Sequence, residues 1–242
     1  MLEVIYHYLD VTGRPASGEE LRGLVDSFDR RFQGRPLVEM LAKDPRFSAR
    51  GNTWSLVKWQ EGEVFTVVDV ETTGLSPARE RITEVALLRI IDGQEAGRWT
   101  TLINPGRPIP PYITRITRID DQMVAQAPRF PEVARKLLDF MGSSVLVAHN
   151  ASFDLGFLNT ELKRAGQEPL NNKYLDTVTM ARALLPYLPN RKLVTVAQHY
   201  QISTQGHHRA MADVIMTSGI FQAMLAEIHH RGEKPTRFIA SS

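Results

Sequence analysis

Three segments of the chain carry acids and histidines in a fixed order: Asp69-Val-Glu71-Thr-Thr-Gly74, His149-Asn-Ala-Ser-Phe-Asp154 and His208-Arg-Ala-Met-Ala-Asp213. Four acids and one histidine form the set that metal-assisted phosphodiester hydrolysis requires. Carboxylates bind hard divalent cations through oxygen, and a histidine of near-neutral pKa can accept a proton from water.

Asp69 and Glu71 are two apart at the end of the apolar run Val64-Phe-Thr-Val-Val68. On a strand, both side chains point to one face, and Val68 and Val70 point to the other, toward a core. Two acids side by side repel, and burial makes this worse unless cations neutralise them. Thr72, Thr73 and Gly74 then add hydroxyls and a tight turn. Asp154 follows a short apolar strand and opens a helix that Asn150 or Ser152 can cap. Taken alone, Asp154 reads more readily as an acid placed to favour the helix dipole than as a ligand. Its place beyond a strand end is where α/β sheets build their sites. His208 and Asp213 are five residues apart, so on one ideal helix they diverge by about 140°. They converge only if His208 lies in the loop before the helix that carries Asp213, and Gly206 suits such a loop. Chemistry alone does not choose between His208 and its neighbour His207.

The elements that must position these groups follow from periodicity and turn residues. Strands are expected over 64–71, 81–91, 97–103 and 145–148, the first three joined by short turns as an antiparallel meander. Helices are expected near 120–124, 131–141, 153–165, 176–185, 192–199 and 209–229. The layout is α/β with a mixed sheet. Ahead of it, Leu2, Ile5, Tyr6 and Leu9 fit one helical face. Ser17 and Glu20 are spaced as a capping box for a helix carrying Leu21, Leu24, Val25 and Phe28. Gly34-Arg-Pro36 opens a third helix that ends before Pro45. Arg46–Arg50 and Thr53–Val57 read as two strands turned at Gly51-Asn52. Three helices and a hairpin make a winged-helix layout over residues 1–60. The main domain is expected over 61–232 and a short C-terminal tail over 233–242.

Composition bounds the rest. The 242 residues are 43% hydrophobic and 23% charged, ordinary for a globular protein. There is no cysteine, which excludes disulfides and thiolate zinc sites. A reducing, cytoplasmic setting is the expectation, with no membrane partner, because no uninterrupted apolar stretch approaches membrane-spanning length. A net charge of +2 does not announce a nucleic-acid partner, so any basic surface must be local. Arginine outnumbers lysine by 22 to seven, and arginine suits phosphate contacts.

The joint pattern Asp69-x-Glu71, Asp154 and His208-x-x-x-x-Asp213 resembles the DEDDh 3′→5′ exonucleases. Glu71-Thr-Thr-Gly-Leu75 and His149-Asn-Ala-Ser-Phe-Asp154 are most similar to the proofreading epsilon subunit of bacterial DNA polymerase III and its relatives, over roughly residues 64–229. Three matches in order are far more specific than one. The resemblance implies a ribonuclease H-like exonuclease fold: a mixed five-stranded sheet with flanking helices, preceded by the small winged-helix domain. It also implies two Mg²⁺ or Mn²⁺ ions held by Asp69, Glu71, Asp154 and Asp213, with His208 as general base. The implied reaction releases nucleoside 5′-monophosphates from a single-stranded 3′ end, in proofreading, repair or end trimming. DNA is the expected substrate ahead of RNA. Substrate contacts are implied for Thr72, Thr73, Gly74 and Leu75, and for Phe153 by packing against a base. His149 and Asn150 either line the pocket or finish the strand. In the stretch Ile109–Ile119, Arg118 stands where the family usually has glycine, which puts the local turn in question.

The N-terminal region resembles the HARE-type winged helices through Asp44-Pro-Arg-Phe47 and Asn52-Thr-Trp-Ser-Leu56. Residues 1–60 hold nine basic and eight acidic side chains. The candidate recognition helix around 36–43 offers Glu39 and Lys43 among apolar residues, poor equipment for reading duplex DNA. A docking role toward a polymerase or another protein, or weak guiding of DNA, is therefore expected. Arg30, Arg31 and Arg35 are the candidates for phosphate contact. Two other readings stay open: an exoribonuclease of the same superfamily, and a nucleic-acid-binding adaptor on an inactive nuclease fold. The intact acid set argues against the adaptor.

Overall fold

The computed structural model describes residues 1–12, 14–28, 36–44, 47–56, 64–231, 233 and 235–241. Arg30, Arg31, Gly34, Arg35, Pro45, Arg46 and Val57, named from the sequence, lie outside these described residues, as do positions 58–63 and 232. The chain divides into two compact units. One comprises Met1–Trp59 and Gln222–Pro235, the other Gln60–Phe221 and Thr236–Ser242.

The first unit runs α1 (Leu2–Thr12), β1 (Ala16–Ser17), α2 (Gly18–Phe28), α3 (Leu37–Lys43), β2 (Phe47–Arg50) and β3 (Thr53–Leu56), and its strands are ordered β1-β3-β2. The expected apolar positions meet in one core of Ile5, Leu9, Leu21, Val25, Leu37, Leu41, Phe47 and Trp54. Each such fully buried side chain is worth about 1.5–3 kcal/mol. The capping box is half made. Ser17 Oγ accepts from Glu20 N at 3.0 Å. The Glu20 carboxylate does not turn back to its own helix; it binds Tyr8 and Arg14. Strand β1 has only two residues, too few for periodicity to register.

The second unit contains β4 (Val64–Thr72), β5 (Ile82–Ile91), β6 (Gln94–Leu102), α4 (Pro111–Thr117), α5 (Asp121–Val124), α6 (Phe130–Met141) and β7 (Val145–Ala148). It continues with α7 (Ala151–Arg164), β8 (Lys173–Asp176), α8 (Thr177–Leu184), α9 (Leu193–His199), α10 (Ala210–His230, residues to Phe221) and β9 (Ala240–Ser241). The strand order is β6-β5-β4-β7-β8-β9. Strands β4, β5 and β6 form the antiparallel meander, β7 and β8 run parallel to β4, and β9 closes the edge antiparallel to β8. The first five are the mixed sheet anticipated from the sequence, and the two-residue β9 extends it from within the expected tail. Val68, Val70, Val85, Leu87, Leu146, Leu137, Phe157 and Leu158 fill the core beside the sheet.

Register places the site. Strand β4 pairs with β7 from Phe65 opposite Val145 to Val67 opposite Val147, yet β4 runs on to Thr72. Its last residues therefore project past the end of its parallel neighbour, where ligand sites of α/β sheets form. Two other features depart from the sequence reading. Helix α4 forms in the stretch containing Arg118, and Arg118 itself takes the left-handed conformation (φ 59°, ψ 23°) that caps it, so the turn is made without glycine. Helix α10 is long and apolar enough to cross a bilayer, but 56% of that stretch is buried in the protein, as expected of a core helix.

Candidate metal centre and active site

Strand alternation carries Asp69 and Glu71 to one side of β4, while Val68 and Val70 enter the core. Oxygens of Asp69, Glu71 and Asp213 all lie within 4.8 Å of one another. Asp213 sits in the first turn of α10, and His207 and His208 precede that helix. This is the arrangement under which the third segment can converge. Gly206, at φ +81°, begins the turn, and a Cβ there would stand 3.2 Å from the Ala212 side chain.

Asp154 enters from α7, where it is buried. Its Oδ1 accepts from the backbone N of Val70 at 3.1 Å. That N–H belongs to the part of β4 that has outrun β7, so the carboxylate satisfies a donor that the sheet leaves over. Asp154 is thus tied to the residue that separates the two acids of the strand.

The electrostatic result is severe. Burial, then the charges of Asp154, Glu71, Asp213 and Glu84, push Asp69 well above the carboxylate range. Burial, Asp213, Glu84 and Asp154 raise Glu71 to about 8. Burial is the main cause that lifts Asp154 to about 8. Acids in this state fit divalent cations: the donors are hard oxygens, and positive charge would remove the cost of ionising them.

The histidines are arranged unevenly. His207 Nδ1 is 2.7 Å from Asp213 Oδ1. His208 donates to Asp213 Oδ2 only through its backbone N, at 3.3 Å. The two rings stack with centroids 3.7 Å apart. The His208 ring is exposed, and burial of its inner part followed by the neighbouring His207 lowers its pKa. It is therefore neutral at physiological pH, as a proton acceptor must be.

The remaining predicted residues divide into outward and inward groups. Leu75 is 83% exposed in the β4–β5 connection. Phe153 is half-buried, its ring 4.9 Å from Phe157. Thr72 Oγ1 donates to the carbonyl of Gly74 at 2.6 Å. Thr73 is fully buried, and its hydroxyl donates to Glu80 at 2.6 Å and accepts from Arg81 N. Gly74 lies so close to Glu80 that a Cβ would meet its Cγ at 3.0 Å. Both ring nitrogens of His149 have protein partners, Thr177 Oγ1 at 2.9 Å and the Arg191 carbonyl at 2.8 Å. This ties the end of β7 to the start of α8. Asn150 occupies the cap position of α7 in a left-handed conformation but makes no side-chain cap bond. The expected cap through Asn150 is not formed. Asp176 instead accepts from Asn150 N and Val178 N, each at 2.9 Å.

Sequence reading missed the supports. Glu84 of β5 lies directly opposite Glu71. It is clamped by both arms of Arg209, at 2.8 and 3.1 Å, and by the N–H of Ala210 at 3.0 Å. An acid inside the apolar run Ile82–Leu88, at the register of Glu71, was the available signal. A second clamp holds the loop after β4. Buried Glu161 pairs with Arg81 at 2.5 and 2.9 Å and with Arg164 at 3.0 Å. Arg164 also donates to the carbonyls of Pro77, Ala78 and Glu80.

Sheet order, crossovers and the placement of the acids define a ribonuclease H-like exonuclease fold. The family described as Exonuclease (RNase_T) matches residues 66–221, and the chain belongs to it. It is 38% identical over 172 residues to DNA polymerase III subunit epsilon of Treponema pallidum, covering 70% of this chain and 79% of that protein. It is 39% identical over 170 residues to DNA polymerase III PolC-type of Bacillus cereus, where the match takes in 70% of this chain but only 12% of the relative. Among solved structures, exonuclease X in complex with 5′ overhanging duplex DNA superposes with a TM-score of 0.57 at 27% identity, over 72% of this chain and 96% of that one. A structure of exonuclease I shares the fold, with a TM-score of 0.62 at 21% identity, over 73% of this chain and 42% of that one.

Proposed function

We propose that this chain is a metal-dependent 3′→5′ exonuclease that removes nucleoside 5′-monophosphates from the 3′ end of DNA. The observation that carries this reading is the convergence of Asp69, Glu71, Asp154 and Asp213, with the pKa values of Glu71 and Asp154 raised to about 8, first by burial and then by neighbouring carboxylates. Asp69, Glu71 and Asp213 would hold one Mg²⁺ or Mn²⁺, and Asp69 with Asp154 a second. Such ions, when bound, lower the pKa of water and offset charge on the phosphate. His208 takes the proton of the attacking water. Exposed Leu75 and half-buried Phe153 would offer apolar surface to the terminal bases, with Thr72 at the terminal nucleotide. The relatives named for DNA polymerase III and the DNA complex of exonuclease X favour DNA over RNA.

Residues 1–60 serve as a winged-helix module, supported by the order of three helices and three strands, with the exonuclease domain over 61–232 and a tail over 233–242. Its near-neutral charge favours docking to a polymerase or other protein. Duplex binding whose affinity falls steeply with salt and is lost with unit-one lysine and arginine substitutions would argue for DNA guiding instead.

The test is a product ladder from 5′-labelled single-stranded DNA and RNA of matched sequence, with Mg²⁺, Mn²⁺ or EDTA, beside Asp69→Ala. Stepwise, metal-dependent shortening of DNA that the variant lacks is the expected result. Faster shortening of RNA would reassign the substrate, and no shortening of either strand would move the role to binding.

A further inference from the structure

Asp213 belongs to two clusters with different donor chemistry. With Asp69 and Glu71 it forms a triad of oxygens. With His207 and His208 it forms a second triad, whose ligand atoms also lie within 4.8 Å of one another. The second triad offers two imidazole nitrogens and one carboxylate oxygen. Hard ions such as Mg²⁺ favour oxygen, whereas Zn²⁺ and its neighbours favour imidazole and accept four-coordinate sites completed by water.

We propose that His207, His208 and Asp213 form a second metal site, selective for a nitrogen-preferring divalent ion such as Zn²⁺, whose occupation disables the oxygen triad. The geometry is largely in place. His207 Nδ1 and Asp213 Oδ1 already face each other at 2.7 Å, and the stacked rings bring His208 alongside. Metal binding at Nδ1 requires that nitrogen to present its lone pair, with any ring proton on Nε2. Occupation takes Asp213 from Asp69 and Glu71, and it takes the His208 lone pair needed to accept a proton. The ion would act as an inhibitor that competes with Mg²⁺ for one shared carboxylate.

The probe is Co²⁺ added to the intact, Mg²⁺-free protein. Four-coordinate Co²⁺ with nitrogen ligands absorbs strongly in the visible, whereas six-coordinate Co²⁺ among oxygens absorbs weakly. The expected result is a strong band that Zn²⁺ bleaches, that His207→Ala loses and that Asp69→Asn keeps. Absence of the band in wild type, its survival in His207→Ala, or its loss in Asp69→Asn would each overturn the proposal. If His207→Ala does not fold, His208→Ala carries the same prediction. A second arm titrates Zn²⁺ into the Mg²⁺-supported nuclease reaction and compares each protein with its own zinc-free rate. Wild type should lose activity at lower Zn²⁺ than His207→Ala, and equal sensitivity would contradict the shared-carboxylate competition. Only this arm rests on the exonuclease reading, so the spectroscopic result stands or falls separately.

Discussion

The carboxylate of Asp154 is fastened to the backbone N–H of Val70, 3.1 Å away, on the residue that separates Asp69 from Glu71. A helix-borne acid and a pair of strand-borne acids are thereby locked into one unit. The bond costs the sheet nothing, because β4 has already passed the end of β7. It also spares the buried acid from lying unpaired. The acids are thus close because the backbone register brings them together, before any cation contributes.

Metal-free stability should fall as pH rises. Glu71 and Asp154 ionise near pH 8 in the folded protein, against ordinary values of 4.5 and 3.8. Between those limits the unfolded chain releases protons that the native state retains, so the stability these two acids contribute is fully present below about pH 4, is lost as pH rises toward 8 and then levels off. Thermal unfolding in EDTA from pH 5 to 8 should show a falling Tm. Adding Mg²⁺ or Mn²⁺ should raise Tm most at pH 8. A Tm in EDTA that stays flat over this range would contradict the assigned acid pair.

Asp69→Ala should abolish hydrolysis yet stabilise the metal-free protein. It removes a buried acid that four carboxylates, Asp154, Glu71, Asp213 and Glu84, repel, and relief of that burial and repulsion should raise the metal-free Tm. Parallel activity and unfolding assays check both halves. Retained cleavage would refute the metal assignment.

His208→Ala should slow cleavage by roughly 10²–10⁴ while leaving substrate binding nearly unchanged. Single-turnover rates at saturating metal measure this. A small effect here, together with an inactive His207→Ala, would transfer the role to His207, whose ring is the one that touches Asp213.

Arg209→Ala should leave Glu84 buried with, among the described residues, the Ala210 N–H as its remaining side-chain partner. Breaking a buried pair costs about 3–5 kcal/mol, and the partial exposure of Arg209 places this case at or below the lower end. The start of α10 should loosen, and the rate should fall through misplacement of Asp213 and His208. Arg209→Lys should restore part of both, because it returns the charge but not the two-armed geometry. Denaturant titration and kcat together decide; normal stability with normal kcat would show that the clamp is dispensable.

Much of the site was legible because chemistry and periodicity coincide there. Asp-x-Glu at the end of an apolar strand fixes a face, and β7 was read to its exact bounds from Val145 to Ala148. The four acids were found from their types and spacing, whereas the choice of His208 over His207 came from resemblance. The supports were hidden because they depend on register. Glu84 matters only once β5 lies opposite Glu71, and Glu161 only once α7 packs beside Arg81. Strand β8 escaped notice because four residues, Lys173–Asp176, flow directly into α8. His149 was read as a pocket or strand-end residue, and its two protein partners lie 28 and 42 positions away in the chain.

The left-handed backbone at His208, φ 71°, sets stability against chemistry at a single position. A residue with a Cβ gives up roughly 1–2 kcal/mol in this conformation, and glycine would give up none. A screen that rewards only heat resistance should therefore drift toward glycine at 208 and collect sturdy, inactive proteins. A screen that demands turnover must keep histidine there and find its added stability elsewhere, for example in the first unit's core.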